Sequence, residues 1–228
     1  MSYPRTSTMW SALPQQAVFL FHEVVAAVLL ADDQNAAFAM ELEGVSPDDR
    51  QVLTALYDRH KQIEQDHVSV EYRRTEYQVG ATFVLNGLDA DPDGNVSDGA
   101  PVAVTVIART DAVGRESDGT PAVIEHRTGR TSDRIDERET ALYAISVARL
   151  LGVETVAVHQ HSLGGPGDPQ CLRVVYDGDA LEEAEQLVAS LLSPLVEWHP
   201  LDAAEPPVFG RRVVHDLSLR TPRVRFRS

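Results

Sequence analysis

Two acids and a cation stand close together near the middle of this 228-residue chain. Asp111 lies near the end of the apolar run Val104–Val113 (VTVIARTDAV), and Glu125 and Arg127 end a second run, PAVIEHR, that starts at Pro121. A Gly/Asp/Ser turn, Gly114–Gly119, separates the two runs, which therefore read as an antiparallel hairpin. Glu125 and Arg127 are two residues apart and point to one face of their strand. With Asp111 opposite them, two carboxylates and a guanidinium converge at the end of a rigid two-stranded element. Converging carboxylates suit a hard divalent cation such as Mg²⁺, which takes oxygen ligands and keeps waters free for chemistry. The neighbouring cation can orient a phosphate or stabilise the charge that develops on it.

The order and spacing of these residues resemble the core of the PD-(D/E)XK nuclease superfamily, in its RecB-like branch. That branch carries a G-x-x-D strand, a D/E-x-K strand closed by T-G, and a helix with Q-x-x-x-Y. The matching residues are Ala108-Arg109-Thr110-Asp111, then Glu125-His126-Arg127 followed by Thr128-Gly129, then Glu139 and Tyr143. The branch also has a metal-binding histidine on an early helix, and His22 falls at that place. The resemblance covers about Phe19 to Leu195. It implies an α/β restriction-endonuclease-like core, a mixed β-sheet flanked by helices. It further implies that Asp111 and Glu125 hold Mg²⁺ or Mn²⁺ with His22 as a further ligand, and that Arg127 contacts the scissile phosphate. Glu139 and Tyr143 would help place the nucleic-acid strand. The implied reaction is metal-dependent hydrolysis of DNA phosphodiester bonds, single-stranded DNA included, in repair, recombination or defence, with a protein partner such as a helicase. Three positions depart from the pattern: Ala108 for Gly, Arg127 for Lys and Glu139 for Gln. Lysine is a titratable ammonium, whereas arginine is a planar fork that stays protonated and is poor at handling protons. The alternative is therefore a nuclease-like domain without activity that serves as a binding or assembly subunit.

The elements that must position these residues follow from periodicity. Leu13–Ala31 reads as a helix with Val18, Phe21, Val25, Val28 and Leu29 on its apolar face and His22 at the border of that face. A short helical or loop segment spans Ala36–Gly44. Ser46-Pro47-Asp48-Asp49 then looks like a helix cap with proline at the first position, leading a helix through Val52, Leu56 and His60 to about Gln65. Val68–Val79 reads as a strand; similar nucleases carry an acid there, which would be Glu71, although a solvated strand position is the better reading of that residue. Ala81–Leu88 reads as a second strand. Asp89–Gly99 is turn-rich; it opens like a calcium loop but lacks the closing acid, and an acidic hairpin loop is the better reading. After the central hairpin come a helix from Ile135 to Leu151, closed by Gly152, and a strand Val153–His161. His159 and His161 share a face of that strand, a metal-binding spacing with no third ligand nearby in sequence. A return strand Cys171–Tyr176 and a helix Ala180–Glu197 complete the pattern. Residues 1–204 read as one nuclease-like domain and 205–228 as a basic extension.

Composition narrows the classes. A net charge of −15 and 43% hydrophobic residues describe an acidic globular chain. Lys61 is the sole lysine among 20 basic residues, an arginine bias that a salt-adapted surface or codon usage produces equally well. Such acidity argues against a broad nucleic-acid surface. Yet 205–228 holds six arginines against Glu205 and Asp216, about +4, leaving about −19 for the rest. With Cys171 as the single cysteine, no internal disulfide forms, and no iron–sulfur cluster is expected. No secretory signal or membrane-spanning run is seen, so a cytoplasmic protein is expected.

Overall fold

The computed structural model describes residue 13 and residues 15–67, 69–90, 96–128, 137–165, 167–197, 212–216 and 223–227. In chain order the elements are α1 (Gln15–Val28), α2 (Gln34–Glu41), α3 (Pro47–Asp66), β1 (Val70–Ala90), β2 (Val96–Glu116), β3 (Pro121–Arg127), α4 (Glu137–Leu151), β4 (Val156–Ser162), β5 (Gln170–Tyr176), α5 (Gly178–Glu197), β6 (Arg212–Asp216) and β7 (Arg223–Arg227). Antiparallel and parallel pairings both occur, β2 with β3 in the first sense and β3 with β4 in the second. The fold is thus α/β with a mixed sheet and helices, as the motif order implied. The chain divides into two compact units: Met1–Tyr77, Thr110–Asp136 and Thr155–Val175 form unit 1, and Gln78–Arg109, Glu137–Glu154 and Tyr176–Ser228 form unit 2.

Unit 1 packs α1 and α3 on one face of the strands. α1 buries Ala17, Phe21, Val24, Val25 and Val28, the three- and four-residue steps of an amphipathic helix. α3 is capped by Ser46, whose hydroxyl accepts from the Asp49 N–H, with Pro47 in the first turn where a missing N–H costs nothing. It buries Val52, Leu53, Leu56, Tyr57, His60 and Ile63. The helices meet Ala112, Ala122, Ile124 and Ala157 in one core, and the small alanines let them approach the sheet closely. In this unit the strand order is β5-β4-β3-β2.

Two glycines read as punctuation prove to be contacts. Gly114 does not open the turn; it lies in β2, paired with Ala122, and the chain turns only after Glu116. A Cβ at Gly114 would meet the Glu71 carbonyl oxygen at 2.3 Å, so its bare backbone is what lets β1 lie against β2. Gly80 likewise does not divide two strands, since β1 runs unbroken from Val70 to Ala90. A Cβ there would meet the Val106 carbonyl oxygen at 2.9 Å. In the acidic stretch, Asp89 and Ala90 end β1 and Val96 opens β2, while 91–95 lie outside the described residues.

Unit 2 buries Val79, Ala81, Phe83 and Leu85 at alternate positions of β1, the two-residue period of a strand with one covered face. α4 is buried continuously from Thr140 to Ala148 and packs on α5. The Thr140 and Tyr176 hydroxyls meet at 2.6 Å. Within 205–228, β6 pairs in parallel with Thr105–Ile107 of β2 and antiparallel with β7, so part of the basic extension is strand. Among the described residues, no helix is long and apolar enough to cross a membrane.

Candidate metal centre

Asp111 stands on β2 one step before the Ala112–Ile124 pair that starts the β2–β3 ladder. In place of the next ladder bond, its carboxylate closes the hairpin end. Oδ2 accepts from the His126 main-chain N–H at 2.6 Å, and Oδ1 lies 3.0 Å from His22 Nδ1 on α1. The His126 ring adds Nδ1 at 3.5 Å from Oδ2. Burial alone would raise the Asp111 carboxyl, but hydrogen bonding and charge from His126 and His22 outweigh it and hold the group well below the usual carboxylate range. An anion is therefore fixed at the strand end at neutral pH. Phe21 keeps the two imidazoles in place, its ring edge-on to His22 at 5.9 Å and to His126 at 6.0 Å.

The third member is Glu76. One ligand atom each from His22, Glu76 and Asp111 lies within 4.8 Å of the other two, and all three residues are half-buried. Among the described residues Glu76 is the one non-glycine residue at positive φ, 48°, inside a strand. A left-handed residue interrupts the alternation of side chains along a strand. Its neighbours are tied down on both sides: Thr75 Oγ1 donates to the Ala26 carbonyl of α1 at 2.9 Å, and Thr110 Oγ1 donates to the Tyr77 carbonyl at 3.2 Å. No periodicity argument finds such a residue. Glu71, the strand acid that the resemblance offered and that reads better as a solvated position, is exposed and pairs with Arg73 at 2.8 Å.

Glu125 and Arg127 lie on β3, half-buried, opposite Gln160 and Ser162 of β4. Glu125 is not in the group of ligand atoms that gathers around Asp111. The Arg127 carbonyl accepts from the Leu163 N–H at 2.7 Å, which anchors the end of β3. Glu139 and Tyr143 belong to unit 2, where the Tyr143 hydroxyl donates to Glu139 Oε1 at 3.1 Å and to the Arg109 carbonyl at 3.3 Å. Thr128 is described, while Gly129 lies outside the described residues. Two carboxylates and one imidazole form a donor set that fits a divalent cation such as Mg²⁺ or Mn²⁺.

No family model matches the chain, and no curated protein matches it. Among solved structures, the crystal structure of SSO0001 is similar at 13% identity and a TM-score of 0.32, over 81% of this chain and 76% of that one. The crystal structure of a protein named "Putative exonuclease" from Eubacterium rectale is similar at 10% identity and a TM-score of 0.38, over 81% of this chain and 68% of that one. At TM-scores this low, neither likeness carries an argument about chemistry.

Proposed function

We propose that the protein is a metal-dependent nuclease that hydrolyses DNA phosphodiester bonds. The observation that carries this reading is the approach of His22, Glu76 and Asp111 to within 4.8 Å at the strand end that also leads to Glu125 and Arg127. His22, Glu76 and Asp111 would hold Mg²⁺ or Mn²⁺, and the imidazole favours Mn²⁺ over an ion that prefers oxygen alone. Glu125, next on β3 after the Ala112–Ile124 pair, is the further acid of this reading. When bound, the ion supplies Lewis-acid charge to the phosphate and a water of lowered pKa. Arg127 offers a fork of N–H donors that matches a phosphate. A guanidinium is a poor proton acceptor, so Glu125 on the same strand face is the group suited to accept the water's proton.

A second reading rests on the same Arg127. A domain that keeps the anion-binding fork and lacks the lysine is suited to bind nucleic acid or a partner without cleaving. Incubation with single- and double-stranded DNA and Mn²⁺ separates the two. Cleavage is expected in the natural protein, reduced roughly 100-fold or more in Asp111→Asn and Glu76→Gln, the scale of losing one electrostatic contributor to a transition state. Cleavage that appears only after Arg127→Lys assigns the natural protein the binding role. Absence of cleavage in both overturns the nuclease reading.

A further inference from the structure

Unit 1 contains a second histidine cluster, deeper than the first. His60 of α3, His126 of β3 and His161 of β4 are 0%, 3% and 3% exposed. β3 and β4 run parallel with His126 opposite His161, which puts both rings on one sheet face. Ala122, Ile124 and Ala157 share that face by alternation, and it is the face that α1 and α3 cover. The buried stripe of α3 brings His60 down onto the pair. The ring centroids form a nearly equilateral triangle: 5.0 Å from His60 to His126, 5.6 Å from His60 to His161 and 5.5 Å from His126 to His161. One nitrogen of each ring lies within 4.8 Å of the other two.

These nitrogens have no ordinary use. Both ring nitrogens of His60, both of His126 and Nδ1 of His161 are buried and make no hydrogen bond among the described residues. Buried polar atoms are almost always satisfied, so several orphans facing one another need an explanation. A carboxylate stands beside two of the rings. Glu64 Oε1 is 3.3 Å from His60 Nε2, and Asp111 Oδ2 is 3.5 Å from His126 Nδ1, neither aligned as a hydrogen bond. That leaves Nδ1 of His60 and Nε2 of His126 for another partner.

We propose that His60, His126 and His161 bind a divalent transition ion of the zinc class. Three imidazoles without an oxygen donor among them select zinc over magnesium. A carboxylate on the far nitrogen of a ligand histidine is the usual support that fixes ring orientation and tautomer. Zinc–nitrogen bonds of about 2.0–2.1 Å bring tetrahedral ligand atoms to about 3.3 Å of one another, a modest closure of the present triangle. The competing cluster, His159, His161 and Cys171, is already engaged. His159 Nε2 meets Glu116 Oε1 at 2.6 Å, Glu116 is forked to Arg173 at 2.7 Å on both oxygens, and Cys171 Sγ lies 3.8 Å from His159 Nδ1. The ion ties α3, β3 and β4 together and fixes His126, whose N–H donates to Asp111. The site stands whether or not the protein cleaves DNA.

The test uses the full chain, freed of metal by a chelator and titrated with Co²⁺ and then Zn²⁺. One equivalent of Co²⁺ is expected to give the visible absorption of a nitrogen-ligated, low-coordinate ion, displaced by Zn²⁺. With Zn²⁺ at about 100-fold over its Kd, the Tm is expected to rise by roughly 5–10 °C. His22→Gln and Cys171→Ser are expected to keep the absorption, which separates this site from the Asp111 centre and from the thiol. His60→Gln and His161→Gln are expected to lose it while keeping the far-ultraviolet circular dichroism of the parent. Should those two variants not fold, the His22→Gln protein decides alone: absorption retained supports the site, absorption lost overturns it. A sulfur-to-cobalt charge-transfer band, or no absorption in the natural protein, also overturns the proposal.

Discussion

At Glu76 the chain accepts a left-handed backbone that costs an L-residue about 1–2 kcal/mol. Such strain persists where surrounding structure holds it, and the hydroxyls of Thr75 and Thr110 do so on either side. Relieving the strain and removing the carboxylate are thus separable. Glu76→Gly is expected to be more stable than Glu76→Ala by about 1 kcal/mol, because only glycine is at ease at this φ. Both variants should lose Mn²⁺ affinity alike. Urea unfolding and metal titration of the pair check this; equal stabilities would show that the backbone there is not strained. The same residue shows where reading from sequence stops. Asp111 was legible from its strand and His22 from its place in the family resemblance, and the structure joins them at 3.0 Å. Glu76 was not, since alternation assigns faces only while φ stays negative; the strand acid that the resemblance offered was Glu71, which reads better as a solvated position and is exposed.

At the level of elements, helices were easier to read than strands for a physical reason. α3 announces itself by Ser46, Pro47 and a buried face at helical steps, and its cap forms as those residues dictate. Strand limits depend on partners distant in sequence, so Gly80 and Gly114 looked like breaks when each is a point of close approach. The distinction is measurable at Gly114. A turn glycine tolerates alanine if φ allows, whereas here an added Cβ would press on the Glu71 carbonyl oxygen at 2.3 Å and on Val70 Cγ1 at 2.8 Å. Gly114→Ala is expected to destabilise the protein by about 1–3 kcal/mol, the usual cost of overpacking. Gly119→Ala makes the contrast: nothing lies within 4 Å of that position, and its cost arises from a φ of +91°. A Gly114→Ala urea midpoint equal to that of the parent would mean that β1 does not pack against β2 as described.

For the whole molecule, the fold class was legible from motif order, but the division into two units was not, because β1 and β2 each contribute to both. The charge of −15 and the buried histidines pull the response to acid in opposite directions. Protonation relieves self-repulsion among the acids, a gain that salt reduces, since the screening length is about 8 Å at 0.15 M. Burial pushes His60 and His161 below the ordinary imidazole range, with neighbouring imidazoles adding to the shift at His161. In the unfolded chain both rings take up protons near pH 6.5, while in the folded chain burial holds their protonation back to lower pH. The unfolded state therefore binds more protons, and stability falls as pH drops below about 6.5, by up to about 2.7 kcal/mol per pH unit for two rings. A second loss follows lower down. Burial raises Glu64, but the nearby His60 imidazole and the bonds to Lys61 and Tyr72 prevail and bring it down to about 2, so its contribution is present above about 4.5 and lost between 4.5 and 2. In a chelator and 0.15 M salt the histidine effect dominates. The urea midpoint is expected to fall steadily from pH 7 to pH 5.5, with a shallower slope in His161→Gln. A midpoint that is flat or rising over that interval would mean that the rings are protonated within the fold, and that the interior of unit 1 is wetter than its burial implies.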